Sequence, residues 1–231
     1  MVKIMYDAGN RESGIRSSCI MGPYDQALFD INSLLNRAIT LREDAFQRIH
    51  FGKESRATQN GNYVREGFVY IPKKGIFITR CSPILAYAER ATEMHRRNKE
   101  FYIEDWMAEE ATAKKVSVQV PDQRQTLIPT NRLAEEEITA FAFGSMAERY
   151  GKFLLECGVK ELPLWTVETT CYSNNLPWWT SEAENRPFAR QLWFYGLMYN
   201  GRSGLGGNDR CLHYGNAVRA VPDEDSLGYW D

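Results

Sequence analysis

The chain has few of the residues that build metal and redox centres. Its 231 residues include three histidines, His50, His95 and His213, and five cysteines, none of which forms a C-x-x-C pair. Zinc and dithiol motifs depend on closely spaced pairs of this kind, so the sequence predicts no metal site and no cofactor. The scattered cysteines are expected to be reduced and mostly packed.

Targeting signals and an excess of basic charge are also absent. No apolar run is long enough to span a bilayer, and the opening residues MVKIMYDAGNRESG lack the apolar segment of a secretory signal. A net charge of −2 argues against a nucleic-acid-binding protein, which usually carries a basic stripe. We therefore expect no nucleic-acid partner and no membrane insertion, and the sequence does not indicate where the protein is located.

The most informative absence lies near the C-terminus. The 25 residues from Tyr199 to Asp223, YNGRSGLGGNDRCLHYGNAVRAVPD, contain no Lys, Glu, Gln, Met or Trp. At ordinary residue usage such a gap has a chance of roughly 0.3%. The residues present instead, Tyr, Asn, Ser, Arg and Gly, are typical of binding loops. The composition of this tract therefore indicates selection for contact with a ligand.

The rest of the chain alternates between helical and strand patterns. Spacing of apolar residues predicts helices over 24–50, over 83–98 with Ser82 as N-cap, and over LAEEEITAFAF and SMAERYGKFLLEC, with a weaker helix opened by Asp105. A hairpin is predicted from YVREGFVYI and GIFITR, with further strands at FYI, VSVQV, LPLWTVETT, RQLWFYG and GNAVRAVPD. Residues 121–131 and 199–214 read as loops. Short strands and helices in this order predict an α+β fold.

The C-terminal order of segments resembles a known family. WWTSE, RQLWFYG, a Gly/Asn/Ser-rich loop and GNAVRAVPD follow one another as in the C-type-lectin-like fold of formylglycine-generating-enzyme relatives. More specifically, the chain is similar to the variable proteins of diversity-generating retroelements. In those proteins a reverse transcriptase scrambles template adenines, so that AAC codons become NNC. An NNC codon cannot encode Met, Trp, Lys, Glu or Gln, the five types missing from 199–223.

The resemblance implies a non-enzymatic, receptor- or adhesin-like binding protein whose C-terminal segment is diversified. Its partner would be a protein or glycan on another cell or particle. We expect an exposed binding surface between residues 194 and 214, with Trp193 and Met198 in the core and one of the adjacent Phe194 and Tyr195 facing ligand or solvent. The expected ligand-binding residues are Phe194, Tyr195, Leu197, Tyr199, Asn200, Arg202, Ser203, Leu205, Asn208, Asp209, Arg210, Cys211, Leu212, His213 and Tyr214.

Other chemistries of the tract have weaker support. The glycines at 201, 204, 206 and 207 lack the Lys-Ser/Thr of a phosphate-binding loop. Asp209, Cys211 and His213 alternate, which leaves open a nucleophile or metal site, and Asn208 and Asp209 offer too few oxygen ligands for calcium. Two alternatives remain: an invariant lectin-like adhesin, and a formylglycine-generating-like enzyme that would need Cys211 paired with a thiol such as Cys171.

The domain organisation follows from the absence of a linker. No boundary rich in Pro, Gly or charge separates the chain into parts, so we expect a single domain over 1–231. Residues 1–120, which show no family pattern, are left open as an added N-terminal subregion, and residues 193–223 form the variable ligand-binding segment.

Overall fold

A computed structural model describes residues 3–6, 17–34, 36–167, 185–198, 201, 203–207 and 211–222. The α-helices in these ranges are α1 Tyr24–Ser33, α2 Leu41–Phe51, α3 Arg56–Gln59, α4 Ala88–Arg96, α5 Asp105–Ala111, α6 Glu137–Phe143 and α7 Ala147–Glu156. The strands are β1 Lys3–Tyr6, β2 Ser18–Gly22, β3 Asn36–Ala38, β4 Asn62–Ile71, β5 Gly75–Thr79, β6 Phe101–Tyr102, β7 Ser117–Val120, β8 Gln125–Pro129, β9 Glu161–Trp165, β10 Phe188–Tyr195, β11 Gly204–Gly206 and β12 Asn216–Pro222. Single 3₁₀ turns occupy Pro83–Tyr87, Thr130–Arg132 and Gly144–Met146.

The described strands form one mixed sheet. Its main path runs β1-β2-β12-β4-β10-β11-β9-β8, while β5 continues from β4 to β7, β3 pairs with β12 and β6 pairs with β10. The pairings of β12 with β4 and of β11 with β9 are parallel. Strands from the first 120 residues and strands from the C-terminal part are therefore hydrogen-bonded to each other within the same sheet.

Helices cover both faces of this sheet. Side chains of α2, α6 and α7, such as Ala45, Phe143 and Tyr150, pack with Phe68 of β4 in one buried cluster. Side chains of α1, α4 and α5, such as Ile31, Ala91 and Ala108, belong to a second cluster that takes neighbouring residues of β4. Because successive side chains of a strand point to opposite faces, a strand inside this sheet is buried on both sides.

The strand before the tract, β10, and the strand that closes it, β12, both border β4. Trp193 of β10 lies opposite Tyr63, antiparallel, and Val218 of β12 lies opposite the same Tyr63, parallel. Neighbouring strands lie about 4.8 Å apart, so Trp193 and Val218 are separated by about two strand spacings. The segment between Trp193 and Val218, which holds most of the tract, therefore has both ends fixed beside one residue of β4.

Several sequence predictions are confirmed. The hairpin is present as β4 and β5, paired from Gly67–Thr79 to Ile71–Gly75. The strands predicted at FYI, VSVQV, LPLWTVETT, RQLWFYG and GNAVRAVPD correspond to β6, β7, β9, β10 and β12. Ser82 caps the turn that leads into α4 by accepting a hydrogen bond from the Ile84 N–H. The mixture of helices and strands agrees with the predicted α+β class.

Three local predictions are wrong. The single helix over 24–50 is two helices, because residues 36–38 instead pair with β12 as β3. A capping box of Thr40 and Glu43 then starts α2 afresh. The loop predicted over 121–131 contains β8, which pairs with β9 along five residues. Asp105 does not cap α5; its N-cap position is Glu104, which makes no side-chain cap.

A buried carboxyl lies where α2 meets β4. Oε2 of Glu66 accepts a hydrogen bond from the Leu41 N–H at 3.0 Å, and the Glu66 side chain is buried. The pKa of this carboxyl is raised from the ordinary 4.5 to about 8, mainly by burial; the Leu41 N–H opposes the rise and the nearby Glu43 adds to it. The carboxyl is therefore protonated in the folded chain at pH values where the unfolded chain has lost that proton.

We expect folding stability to fall as the pH rises from about 5 to about 8. In this window the folded state holds the Glu66 proton and the unfolded state does not, so the free energy of unfolding decreases by up to ~1.4 kcal/mol per pH unit. Glu66→Gln should remove this slope in urea unfolding. Glu148→Gln, at an exposed site on α7, should keep it, and an equal slope in Glu66→Gln would contradict the assignment.

Candidate functional site

The tract begins at a strand that is buried on both faces. Phe194 is fully buried against Phe143 and Tyr150, and its neighbour Tyr195 is buried with its ring edge-on to Trp165 at 4.8 Å. The expectation that one of the two faces ligand or solvent is wrong, because β10 lies inside the sheet between β4 and β11. Leu197 is also buried, since its N–H donates to the Thr58 carbonyl and holds it against the core.

Trp193 and Met198 were both predicted to lie in the core; Trp193 lies at its edge and Met198 lies outside it. Trp193 is half-buried and packs edge-on to Tyr63 at 4.8 Å, at the margin of the second cluster. Met198 was predicted to be in the core, but 73% of its surface is exposed. The chain turns there: the Met198 N–H donates to the Gln59 carbonyl and the Gly201 N–H to the Leu197 carbonyl. The side chain of Met198 is thus directed away from the sheet.

A buried arginine fixes the end of β10. Arg48 of α2 is fully buried and donates to the carbonyl oxygens of Tyr195 at 2.7 Å and Phe194 at 3.2 Å. Its guanidinium lies 3.5 Å from the centre of the Phe194 ring, and its Nε is 3.3 Å from Oδ1 of Asp44, also buried. Arg48 therefore ties α2 to the point where the chain leaves the sheet.

The same arginine reaches the start of β11. Ser203 is fully buried, and its Oγ lies 2.9 Å from the Tyr150 hydroxyl and 3.4 Å from Nη1 of Arg48. Burial raises the pKa of Tyr150, although Arg48 and Ser203 lower it, so the phenol stays protonated. Ser203 was expected to contact ligand; it is instead part of this internal hydrogen-bond network.

A second buried arginine holds the other end of β11. Arg190 pairs with Glu100 through two hydrogen bonds of 2.7 and 3.1 Å, with both side chains buried. Nη1 of Arg190 donates to the Gly207 carbonyl at 3.4 Å, and the Tyr70 hydroxyl donates to the same oxygen at 2.9 Å. Leu205, between the two anchors, is fully buried in the first cluster. Its expected exposure is therefore wrong.

The glycines of this segment are required by close packing. A Cβ at Gly204 would lie 2.6 Å from the Trp165 ring, and one at Gly206 would lie 2.5 Å from the Tyr195 ring. At Gly207 the same atom would lie 2.1 Å from the Phe68 ring, which is itself fully buried. These glycines allow aromatic rings to pack directly on the backbone of residues 204–207.

The turn before β12 presents the exposed side chains of the described tract. Leu212 is buried, and its carbonyl accepts from the Tyr24 N–H at 2.8 Å, so its expected exposure is wrong. On either side of it Cys211 and His213 are half-buried, and Tyr214 is 59% exposed. The rings of His213 and Tyr214 lie 4.1 Å apart. Buried Leu212 therefore anchors a turn whose neighbouring side chains reach the surface.

Six expected contact residues lie outside the described residues: Tyr199, Asn200, Arg202, Asn208, Asp209 and Arg210. Cys171, the thiol considered as a partner for Cys211, lies outside them as well. Within the described ranges, no group of three or more His, Cys, Asp and Glu side chains is placed to hold a metal ion. No helix in those ranges has the length and apolar character to cross a membrane.

The anchoring residues were missed by sequence reasoning. Arg48 and Arg190 each interrupt an apolar pattern, in AFQRIHF and FARQLWFY. A charged residue on the buried face of a helix, or in a strand with both faces covered, needs a partner in the core. That interruption was a usable signal, but Asp44, Glu100 and the carbonyls of β10 and β11 could not be matched to it before the fold was known.

Comparison with known proteins supports the fold and no more. No protein-family model matches the chain, and no curated protein matches it. A solved structure from Nanoarchaeota, in which the C-type lectin fold accommodates massive sequence variation, is similar with a TM-score of 0.58 and 15% sequence identity. The similarity covers 96% of this chain and 97% of that chain. The protein therefore has a C-type lectin fold, as predicted.

Gly207→Ala and Gly215→Ala are a matched test of the anchored segment. The new Cβ would overlap the Phe68 ring at Gly207 but meets nothing within 4 Å at Gly215. We expect Gly207→Ala to lower the free energy of unfolding by about 1–3 kcal/mol and Gly215→Ala to change it by less than about 0.5 kcal/mol. Urea unfolding measures both, and similar effects of the two substitutions would contradict the packing role of Gly207.

Arg48→Met should strongly destabilise the fold. The substitution removes the hydrogen bonds to β10 and leaves Asp44 buried with a weakened set of partners, which should cost about 3–5 kcal/mol in urea unfolding. Adding Asp44→Asn should not recover the loss, because Nε of buried Arg219 lies 3.8 Å from Oδ1 of Asp44 and would lose that carboxylate. Arg132→Met, at an exposed pair on the surface, should cost less than about 1 kcal/mol. A loss in Arg48→Met no larger than that in Arg132→Met would contradict the anchoring role of Arg48.

Proposed function

We propose that this protein, whose chain has the C-type lectin fold, is a non-enzymatic ligand-binding protein whose C-terminal tract is diversified to change binding specificity. The observation that carries the proposal is the division of the tract into anchored and exposed positions. Ser203, Leu205 and Leu212 are buried and hydrogen-bonded or packed, whereas Tyr214 is exposed and Cys211 and His213 are half-buried. This division lies in a tract, residues 199–223, whose residue types can all be encoded by NNC codons.

The physical basis is the low cost of surface variation. A substitution at an exposed side chain usually changes stability by less than about 0.5 kcal/mol, whereas one in the core costs several times more. Cys211, His213 and Tyr214 lie next to backbone held by the Leu212–Tyr24 hydrogen bond. Many side chains can therefore be presented there on a fixed backbone, and a fixed backbone lowers the entropic cost of binding.

The proposed contact residues are narrower than those expected from sequence. Among the described residues they are Cys211, His213 and Tyr214, and the proposal extends in sequence to Tyr199, Asn200, Arg202, Asn208, Asp209 and Arg210. Phe194, Tyr195, Leu197, Ser203, Leu205 and Leu212 leave the set because their side chains are buried. They form the frame that holds the contact residues.

The partner we propose is a protein or glycan on another cell or particle. Tyrosine and arginine, both present in the tract, are the residue types most often found as interface hot spots. Contact through exposed aromatic and polar side chains requires no cofactor and no catalytic group. We propose no nucleic-acid partner for the protein and no insertion into a membrane.

Copies of this gene, or a neighbouring template repeat, test the diversification. We expect nucleotide differences between copies to concentrate at codons 199, 200, 202, 208–211, 213 and 214, and to fall at template adenines. Codons 203–207 and 212 should be unchanged, because their residues are buried or too closely packed to vary. Sequencing of the locus in related cells measures this directly.

The outcome also decides between the proposal and its runner-up. Differences spread evenly over the buried and exposed codons would contradict diversification. Identical tracts in all copies, with no reverse transcriptase gene nearby, would favour an invariant lectin-like adhesin built on the same frame.

A further inference from the structure

A groove lies on the surface beside α1, away from the buried networks. It has a volume of about 490 Å³ and runs between α1 and the segment 85–89, which joins the 3₁₀ turn to α4. Phe29 lines it with 71% of its surface exposed, and Leu85 lies on the other wall. An aromatic side chain this exposed on an otherwise well-packed helix makes a large apolar contact available to a partner.

The charged side chains of the groove are all acidic. Asp25, Asp30 and Glu89 line it, and among its described lining residues there is no lysine, arginine or histidine. Asp25 and Phe29 are four residues apart on α1, so they share one face of the helix. Oδ1 of Asp25 is buried and accepts no hydrogen bond within the described part of the chain. Carboxylates therefore flank the exposed ring along α1.

An exposed aromatic ring beside carboxylates is complementary to a cationic side chain with an aliphatic stem. A lysine or arginine side chain can lay its aliphatic stem along an apolar surface and keep its charge among carboxylates. Its cationic group is also attracted to the face of an aromatic ring such as that of Phe29. Sugar hydroxyls can donate to the three carboxylates, but only a cationic ligand also complements their charge, and an acidic ligand would be repelled by them. The groove therefore favours a cationic polypeptide over a glycan.

We infer that the groove binds a segment of a protein ligand in which lysine or arginine alternates with apolar side chains. The exposed turn of the tract lies at the end of the same helix, because the Tyr24 N–H, one residue before Asp25, donates to the Leu212 carbonyl. A helix of ten residues is about 15 Å long, so one ligand can contact both the turn and the groove. The inference thus extends the proposed ligand-binding function and rests on it.

The groove adds a contact that does not vary. Asp25, Phe29, Asp30 and Glu89 lie far from the tract in sequence, so diversification of residues 199–214 leaves them unchanged. Variable side chains would then select among ligands that share a cationic segment. The groove sets the class of ligand, and the turn sets the individual member of that class.

Fluorescence polarisation with a labelled peptide of alternating lysine and leucine tests the groove directly. We expect binding that weakens as salt is added, because exposed charges are screened. Phe29→Ala, and separately the pair Asp30→Asn with Glu89→Gln, should each weaken it by about tenfold, as at an interface hot spot. Trp106→Ala and Glu109→Gln are matched controls on α5, where Trp106 is 58% exposed, and they should leave binding unchanged.

Several results would overturn the inference. They are the absence of peptide binding, equal binding of a glutamate–leucine peptide or of a neutral oligosaccharide, and equal loss in the α5 controls. A Phe29-dependent dimer in sedimentation would identify a second copy of the chain as the occupant and contradict a foreign segment. Loss of binding in Tyr214→Ala but not in Phe29→Ala would place the cationic contact on the turn. None of these results depends on how gene copies differ, so the groove and the diversification can fail separately.

Discussion

The arrangement of the C-terminal tract depends on the hydrogen bonds of one buried guanidinium, that of Arg48. A charge removed from water is tolerated only where its hydrogen bonds and counter-charge are supplied by the protein. Arg48 obtains them from Asp44, from the carbonyls of Phe194 and Tyr195, and from Ser203. The end of β10 and the start of β11 cannot separate from α2 without leaving that charge unsatisfied.

Arg190 imposes the corresponding constraint where β11 ends. Its pairing with Glu100 neutralises the charge, and the Gly207 carbonyl takes one of its remaining donors. The segment 203–207 is thus held at both ends by buried polar groups and in the middle by Leu205 and by rings packed on its glycines. Binding residues are commonly carried by loops that a rigid scaffold positions. Here the scaffold extends into the loop region itself.

The sequence predicted those parts of the fold that local pattern determines. The β4–β5 hairpin and β10 were visible because β-branched and aromatic residues cluster in them, and the Ser82 cap followed from its position before Pro83. The prediction of one helix over 24–50 was wrong because the backbone of residues 36–38 pairs with β12, a strand some 180 residues later. The strand β8 was missed because its sequence is polar and its partner, β9, is also distant in sequence. In the candidate site, composition singled out the tract but not the individual exposed residues within it. It could not separate Leu212 from Tyr214, because burial there is decided by contacts with Tyr24 and the sheet.

The position of Tyr63, opposite both Trp193 and Val218, has a consequence for the length of the tract. Since the sheet fixes the two ends, residues added between Gly207 and Leu212 lengthen a closed connection, and the entropy of closing it is one cost of the insertion. That cost grows slowly, by roughly 0.6 kcal/mol for each doubling of the loop. The architecture therefore accommodates insertions and deletions beyond the anchored segment 203–207. The length of this connection can change independently of the side chains that it carries.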